Sequence, residues 1–213
     1  MSDPHLDVFG DISAACDVLA NKDKALARAL EAIEAPHIRR RRGGFEALFR
    51  IIVEQQVSVA SAQAIWARCR ETVKPMRPHR AIALGADGLR TCGLTGAKAG
   101  YVFGLAEMID EGALDLKRLP ALDDMAAADV LRSVKGIGPW TAAIYLLFCE
   151  GRVDIWPPGD VALLGAYKTA RLRGPKPDMA RMDANAKKWA PYRGVAAHIL
   201  WTYYAHIRGR TPI

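Results

Sequence analysis

Leu131-Arg132-Ser133-Val134-Lys135-Gly136-Ile137-Gly138-Pro139-Trp140-Thr141-Ala142-Ala143 is the stretch on which the reading of this 213-residue chain turns. Helical composition runs into Gly-Ile-Gly and helical composition leaves it, which predicts a helix, a tight hairpin and a second helix. Glycine takes backbone angles closed to other residues and leaves space where a side chain would stand. The N–H groups of Gly136 and Gly138, with those left over at the start of the next helix, make a concavity suited to an anion. Pro139 falls at the first helical position, where no donor is lost. Such a hairpin can grip a DNA phosphate without reading a base; it can equally be a tight turn with no ligand. Lys135 beside it and Thr141 in the next turn favour phosphate.

Downstream, Ile155-Trp156-Pro157-Pro158-Gly159-Asp160-Val161-Ala162 puts an acid where a new helix should start. Asp at that place is a common N-cap and needs no catalytic explanation. Coupled to the preceding hairpin, it also becomes a candidate catalytic carboxylate.

Outward from these segments the chain reads as helix throughout. Ser13–Leu19 and Asp23–Ile33 have helical composition. Phe45, Leu48, Phe49, Ile52 and Val53 form an amphipathic stripe. It ends near Gln55–Gln56, and Ser58 is placed to cap a helix running to about Arg70. A short helix is expected over His79–Leu84. Longer ones are expected over 95–111, 123–131 and 140–149, from Asp160, from Met179, and from Pro191 to His206, with Pro191 in the first turn. No alternating run with a hairpin turn signals a strand. The expected fold is all-α: residues 1–213 as one unit of two helical lobes, with about 45–155 a central lobe carrying the hairpin at 131–143, and 1–44 plus 156–213 the second.

Composition narrows the function classes. With 51% hydrophobic and 25% charged residues the chain is globular rather than disordered. No apolar run approaches the ~18 residues of a membrane span. The opening MSDPHLDVFGD is acidic and lacks a signal-peptide core, so a cytoplasmic protein with no membrane partner is expected. Thirty Lys+Arg against 23 Asp+Glu give a formal charge of +7, which suits a polyanionic partner. Cys16, Cys69, Cys92 and Cys149 are widely spaced with no CxxC pair. That argues against a zinc or iron–sulfur site and for reduced, packed thiols.

Several segments taken in order resemble the helix-hairpin-helix glycosylase superfamily, and within it the 3-methyladenine DNA glycosylase II branch. They are Phe45-Glu-Ala-Leu-Phe followed by Gln55-Gln-Val-Ser-Val59, Gly93-Leu-Thr-Gly-Ala-Lys98, the hairpin Val134–Ala142, the Trp156–Asp160 loop, and Trp189-Ala-Pro-Tyr-Arg-Gly194 with Trp201. Together they cover about Phe45 to Trp201.

The resemblance implies two helical lobes with a base pocket in the cleft between them, and extrusion of a damaged nucleotide from double-stranded DNA into that pocket. Asp160 falls at the family's catalytic acid, where a fixed carboxylate stabilises the oxocarbenium character of the sugar and orients or deprotonates water. Trp140 stands where bifunctional branches such as endonuclease III carry a Lys nucleophile. The resemblance therefore implies a monofunctional enzyme that hydrolyses the N-glycosidic bond of alkylated purines (3-methyladenine, with 7-methylguanine and others as further substrates), a DNA-3-methyladenine glycosylase II. Trp140 and Tyr192 match pocket aromatics, whose faces attract a cationic methylated base by roughly 1–2 kcal/mol when desolvated. Tyr145 is a further pocket candidate, although Ile144 aligns where relatives carry the tyrosine. Gly159 stands where some relatives have a second acid. Arg193 is expected to orient Asp160 or contact the backbone, or else to be a solvated helix arginine.

Gly136, Gly138 and Thr141 are the implied phosphate contacts. Gln56, with Gln55, matches the wedge that fills the gap left by the flipped base; both would otherwise be polar residues facing water at a helix end. The main-chain carbonyls of Arg132, Val134 and Ile137 match those that hold a monovalent cation (Na or K) at the hairpin, and no cofactor is implied for catalysis. The run Arg39–Arg42, Lys98 and the basic stretch 171–176 could meet DNA or remain solvated. The expected protein is a monomer without the N-terminal β domain of some members. Two other readings remain: a bifunctional glycosylase/lyase on another lesion, and a non-catalytic helix-hairpin-helix DNA-binding protein in which Asp160 is only a cap.

Overall fold

The computed structural model describes residues 12–172 and 174–212. The acidic opening stretch lies outside the described residues, as do Arg173, within the basic stretch 171–176, and Ile213. Among the described residues there is no strand, and none of the helices is long and apolar enough to cross a membrane. The chain divides into two compact units, residues 42–145 and the discontinuous set 1–41 with 146–213.

The continuous unit holds α3 (Phe45–Glu54), α4 (Val59–Thr72), α5 (Pro78–Thr91), α6 (Gly96–Asp110), α7 (Asp124–Arg132) and α8 (Pro139–Tyr145), with a 3-10 turn at Leu116–Ala121. The apolar stripe explains the centre of the unit. Phe45, Leu48, Phe49, Ile52 and Val53 are all buried, and α3 packs against α4, α6 and α8. Phe49 meets Trp66 of α4 edge-on at 5.5 Å. Ser58 caps α4 as expected, its hydroxyl accepting from the Ser61 N–H at 3.2 Å. Thr95 and Asp123 cap α6 and α7 in the same way. The helix expected to stop at Leu84 resumes beyond a kink at Gly85 (φ 67°) and runs on to Thr91, where it pairs with α6.

The discontinuous unit holds α1 (Ser13–Lys22), α2 (Lys24–Ala32), α9 (Val161–Ala170), α10 (Met179–Ala186) and α11 (Arg193–His206). Its centre is α11, buried from Gly194 to Thr202 and packed on α9 and α2. Two boundaries differ from the sequence reading. The run after the hairpin leaves α-geometry at Tyr145 and turns as a π-helix over Leu146–Glu150, and those residues belong to the discontinuous unit rather than to a lobe ending near 155. Pro191 lies outside α11, behind a cis Ala190–Pro191 bond and a 3-10 turn at Lys187–Trp189; Tyr192 is the residue that caps the helix. The four cysteines are free thiols. Burial, with the neighbouring Cys92, pushes Cys69 up to about 12, and burial pushes Cys149 up to about 12, so neither is a nucleophile at neutral pH.

Candidate functional site

The hairpin of the continuous unit joins α7 to α8. Ile137 N donates to the Val134 carbonyl at 3.0 Å, and Ala142 N to the Gly138 carbonyl at 3.0 Å, so Gly138 begins the helical ladder of α8. The main-chain N–H groups of Gly138 and Thr141 therefore have no partner within the helix, and Pro139 has none to offer. The two glycines have different reasons to be glycine. Gly136 has φ +90°, and a Cβ on it would overlap the Tyr101 ring. Gly138 has no such angle, has open space where its Cβ would point, and is exposed. A groove of about 640 Å³ lies against this turn, lined by Gln55, Gln56, Tyr101, Lys135, Gly136 and Gly138 among others. Arg132, Val134 and Ile137 line the same groove.

Gln55 and Gln56 part company here. Gln55 Nε2 donates to the Gly136 carbonyl and to Thr141 Oγ1, both at 3.0 Å, which ties the end of α3 to the hairpin. Lys98 Nζ donates to the carbonyls of Val53 (2.8 Å) and Gln55 (2.6 Å), closing the C-terminus of α3. Burial lowers its pKa. Lys98 is thus committed to α3 carbonyls. Gln56 is exposed and sits at φ 51°, the one left-handed non-glycine among the described residues. A side chain held in that conformation costs about 1–3 kcal/mol and is a mark of functional positions. Thr141 is 4% exposed and its hydroxyl is engaged by Gln55, so its main-chain N–H is what it can offer a phosphate. Trp140 is half-buried at the second position of α8. Tyr145 is buried, and its hydroxyl accepts from the Gly44 N–H at 2.9 Å, closing the turn after the arginine run.

In the discontinuous unit the loop 153–160 is pinned at several points. Arg193, the first residue of α11, forks its guanidinium onto Asp154 with two bonds of 2.9 Å, and its main-chain N–H adds a third at 3.0 Å. Gly194 N donates to the Val153 carbonyl at 2.8 Å. Further along, Asp183 of α10 accepts from Trp156 Nε1 at 2.9 Å and from Gly159 N at 3.4 Å, and Trp156 lies edge-on to the buried Trp189 at 5.4 Å. This scaffold delivers Asp160 to the start of α9. Its Oδ1 accepts from the N–H groups of Ala162 (2.9 Å) and Leu163 (3.0 Å), and its Oδ2 from Trp201 Nε1 (3.3 Å). Asp160 is half-buried, fixed in rotamer and set at the positive end of a helix dipole. Tyr192 is half-buried at the N-cap position of α11, nine residues before Trp201.

Arg39, Arg40 and Arg41 of the arginine run are part of the same packing, while Arg42 is exposed. Arg39 lies over the rings of Trp201 (5.5 Å) and Phe148 (5.7 Å), and Arg41 over Phe148 (5.8 Å). Arg40 Nη1 donates to the Leu147 carbonyl at 3.2 Å, and Arg41 N to the Phe148 carbonyl at 2.8 Å. Beneath them His198 is fully buried between Phe148 and Trp201. Burial, with the nearby Arg39 charge, pushes its pKa down to about 3, and its Nδ1 faces the Arg39 N–H at 3.5 Å.

Within one unit, then, the structure gathers Gly136, Gly138, Thr141, Gln55, Gln56 and Trp140 at the hairpin; within the other it joins Asp160 to Trp201, while Arg193, expected to orient Asp160 or contact the backbone, is bonded to Asp154. The sequence reading missed Asp154 and Asp183, whose only signal was an acid in the loop before the cap and another in α10. It also gave Trp201 no role of its own. Among the described residues no group of three His, Cys, Asp or Glu is placed to hold a metal ion.

Comparison with known proteins identifies the family. A family model described as HhH-GPD superfamily base excision DNA repair protein matches residues 49–191. The chain is 29% identical over 165 residues to the Bacillus subtilis protein YfjP, covering 74% of this chain and 58% of that one. It is 26% identical over 161 residues to DNA-3-methyladenine glycosylase 1 of Schizosaccharomyces pombe, covering 74% and 71%. The crystal structure of DNA-3-methyladenine glycosidase from Bacillus halodurans superposes with a TM-score of 0.77 at 28% identity, covering 94% of this chain and 93% of that one.

Proposed function

The chain belongs to the HhH-GPD superfamily of base excision DNA repair proteins, and on that premise we propose that it is a monofunctional glycosylase releasing alkylated purines, 3-methyladenine first among them, from double-stranded DNA. The observation that carries the reading is Asp160, half-buried, with both carboxylate oxygens fixed by N–H donors. Breaking an N-glycosidic bond builds positive charge on the sugar, and a carboxylate oriented in advance stabilises it without reorganising. The same oxygens can orient the attacking water and accept its proton. An N-alkylated purine already carries positive charge and leaves without a strong acid, which suits a site built around one carboxylate.

Strand cleavage by a lyase needs an amine to form a Schiff base. Position 140, at the start of α8, is Trp, and Lys135 lies on the other side of the turn. The half-exposed faces of Trp140 and Tyr192 are suited to a flat cationic base. The exposed, left-handed Gln56 is suited to fill the gap a flipped nucleotide leaves. Main-chain N–H groups at Gly138 and Thr141, with the turn at Gly136, grip a backbone phosphate. Arg132, Val134 and Ile137 line one groove, and their carbonyls would hold a sodium or potassium ion; the Val134 carbonyl already accepts from Ile137 N and keeps a second lone pair for a cation. Such an ion would add positive charge beside the phosphate grip.

The test is incubation with DNA methylated by an alkylating agent, followed by chromatography of released bases and gels of the strands. Release of 3-methyladenine with strands intact until alkali treatment is expected. No release from any methylated base would overturn the proposal, and strand cleavage trapped by borohydride would replace it with a lyase.

A further inference from the structure

The discontinuous unit carries a second concave surface that the chemistry above does not use. A cavity of about 480 Å³ opens among Lys22, Lys24, Arg28, Arg171, Lys188 and Asp23. Five cations share it with one acid, and that acid is already committed. Asp23 is 7% exposed. Its Oδ1 accepts from the Ala25 N–H at 2.9 Å, and its Oδ2 accepts from Tyr167 Oη at 3.0 Å, Trp189 Nε1 at 3.1 Å and Lys188 Nζ at 2.8 Å. One buried carboxylate therefore balances one ammonium.

Two of the other cations are held by neutral acceptors. Lys22 Nζ donates to the Ala190 carbonyl at 2.6 Å, and Arg28 Nε donates to the Ala170 carbonyl at 2.7 Å. A carbonyl orients a cation without cancelling its charge, and it occupies only one of the donors that Lys or Arg carries. Both side chains are thus fixed at the cavity with charge and donors to spare. Exposed Lys24 adds to them, and Leu172, 72% exposed, supplies an apolar edge. The volume is on the order of fifteen water shares, more than a single phosphate group fills.

The cavity is remote from the reaction. Asp160 caps one end of α9 and Ala170 ends the other, and ten residues of helix span about 15 Å.

We propose that this cavity is a second phosphate site, which takes a ligand carrying two or more adjacent phosphates, either a nucleic-acid backbone beyond the lesion or a free oligophosphate. Arg28 supplies planar N–H donors and the lysines supply point charges, the combination that phosphate recognition uses.

The test is calorimetric titration of the full chain with inorganic tripolyphosphate at fixed ionic strength. Lys22→Glu/Lys24→Glu is compared with Lys117→Glu/Arg118→Glu, an equal charge change in the other unit. The cavity variant is expected to bind about tenfold more weakly or worse, and the control within about twofold of the original chain. Lys24→Glu alone, at the exposed first position of α2, is expected to weaken binding about threefold and keeps the test available if the double variant does not fold. No tripolyphosphate binding by the original chain, or equal loss in cavity variant and control, overturns the site. Anisotropy with undamaged duplexes of about one and about three helical turns assigns the source. Weaker binding of only the longer duplex by the cavity variant points to backbone phosphate. Unchanged binding of both, with tripolyphosphate binding lost, points to a free oligophosphate. Base release from the short duplex, which depends on Asp160, is expected to survive every cavity substitution.

Discussion

Trp201 Nε1 donates to Asp160 Oδ2 at 3.3 Å, while Oδ1 of the same carboxylate caps α9 through Ala162 and Leu163. One oxygen serves the fold and the other is steered by an indole that itself lies under Arg39. The cap role and the proposed catalytic role of Asp160 are therefore compatible, and a substitution can weigh one against the other. Asn caps helices about as well as Asp. Asp160→Asn keeps one oxygen for the α9 cap but turns its NH2 toward Trp201 Nε1, so a loss of about 1 kcal/mol is expected while base release falls by about two orders of magnitude or more. Asp160→Ala is expected to lose release too, and about 2–3 kcal/mol of stability, because the cap and the acceptor for Trp201 both go. Thermal melts beside single-turnover release assays decide it; full activity in Asp160→Asn would remove Asp160 from the chemistry.

Gln55 and Gln56 are adjacent and are expected to behave in opposite ways. Gln55→Ala leaves the Gly136 carbonyl and the Thr141 hydroxyl without their donor, a loss of about 1–3 kcal/mol. Melts should register it before any DNA is added, and DNA affinity should fall because the hairpin loses its tie to α3. Gln56→Gly relieves a left-handed backbone angle and is expected to be neutral or stabilising, by up to about 1 kcal/mol. Its cost should show only in base release, through poorer flipping. A drop in the stability of Gln56→Gly would mean that its side chain holds the fold rather than waiting for DNA.

Gly136→Ala meets both a positive φ and the Tyr101 ring. A loss of about 2–4 kcal/mol is expected, with the hairpin distorted. Gly138→Ala meets neither obstacle, so its stability should change by less than about 1 kcal/mol. A methyl group in front of the Gly138 N–H should still weaken DNA binding. Denaturant melts and duplex titrations of the pair distinguish a glycine needed by the turn from one needed by the ligand.

Local chemistry made most of the helices and the cap at Asp160 legible in the sequence. The α3 stripe, Ser58 and the hairpin glycines each act within a few residues of themselves, so periodicity and capping rules reach them. What escaped was made by residues distant in the chain. Asp154 matters because Arg193 forks onto it, and Asp183 because Trp156 and Gly159 lean on it. The run Arg39–Arg42 read as a basic loop that meets DNA or stays solvated, because charge alone gives no sign that Phe148 and Trp201 lie under two of its guanidinium groups. Tyr145 read as a pocket residue because sequence does not reveal that Gly44 uses its hydroxyl. Pro191 suited a first helical turn, but the Trp189–Tyr192 turn took it out of α11.

His198 gives the protein a specific acid sensitivity. Its folded pKa is near 3, held there by burial and by Arg39, against an ordinary value of 6.5. The folded state keeps the imidazole neutral down to that pH, while the unfolded chain protonates it below about 6.5. The unfolded state therefore binds the extra proton, and stability is lost as pH falls from about 6.5 toward 3, at up to about 1.4 kcal/mol per pH unit from this one group. Above 6.5 His198 contributes no slope. Asp23 works in a lower window. Burial opposes its ionisation, but the Lys188 ammonium and the Ala25 and Tyr167 donors outweigh it and leave its pKa below the ordinary 3.8. Its contribution is present above that value and fades only as pH drops through the folded pKa. The two separate in denaturant melts between pH 7 and 4. His198→Gln is expected to be less stable than the original chain at pH 7, to lose less stability on acidification, and to converge with it near pH 4–5. Parallel curves for the two proteins would show that His198 takes up its proton in the folded state.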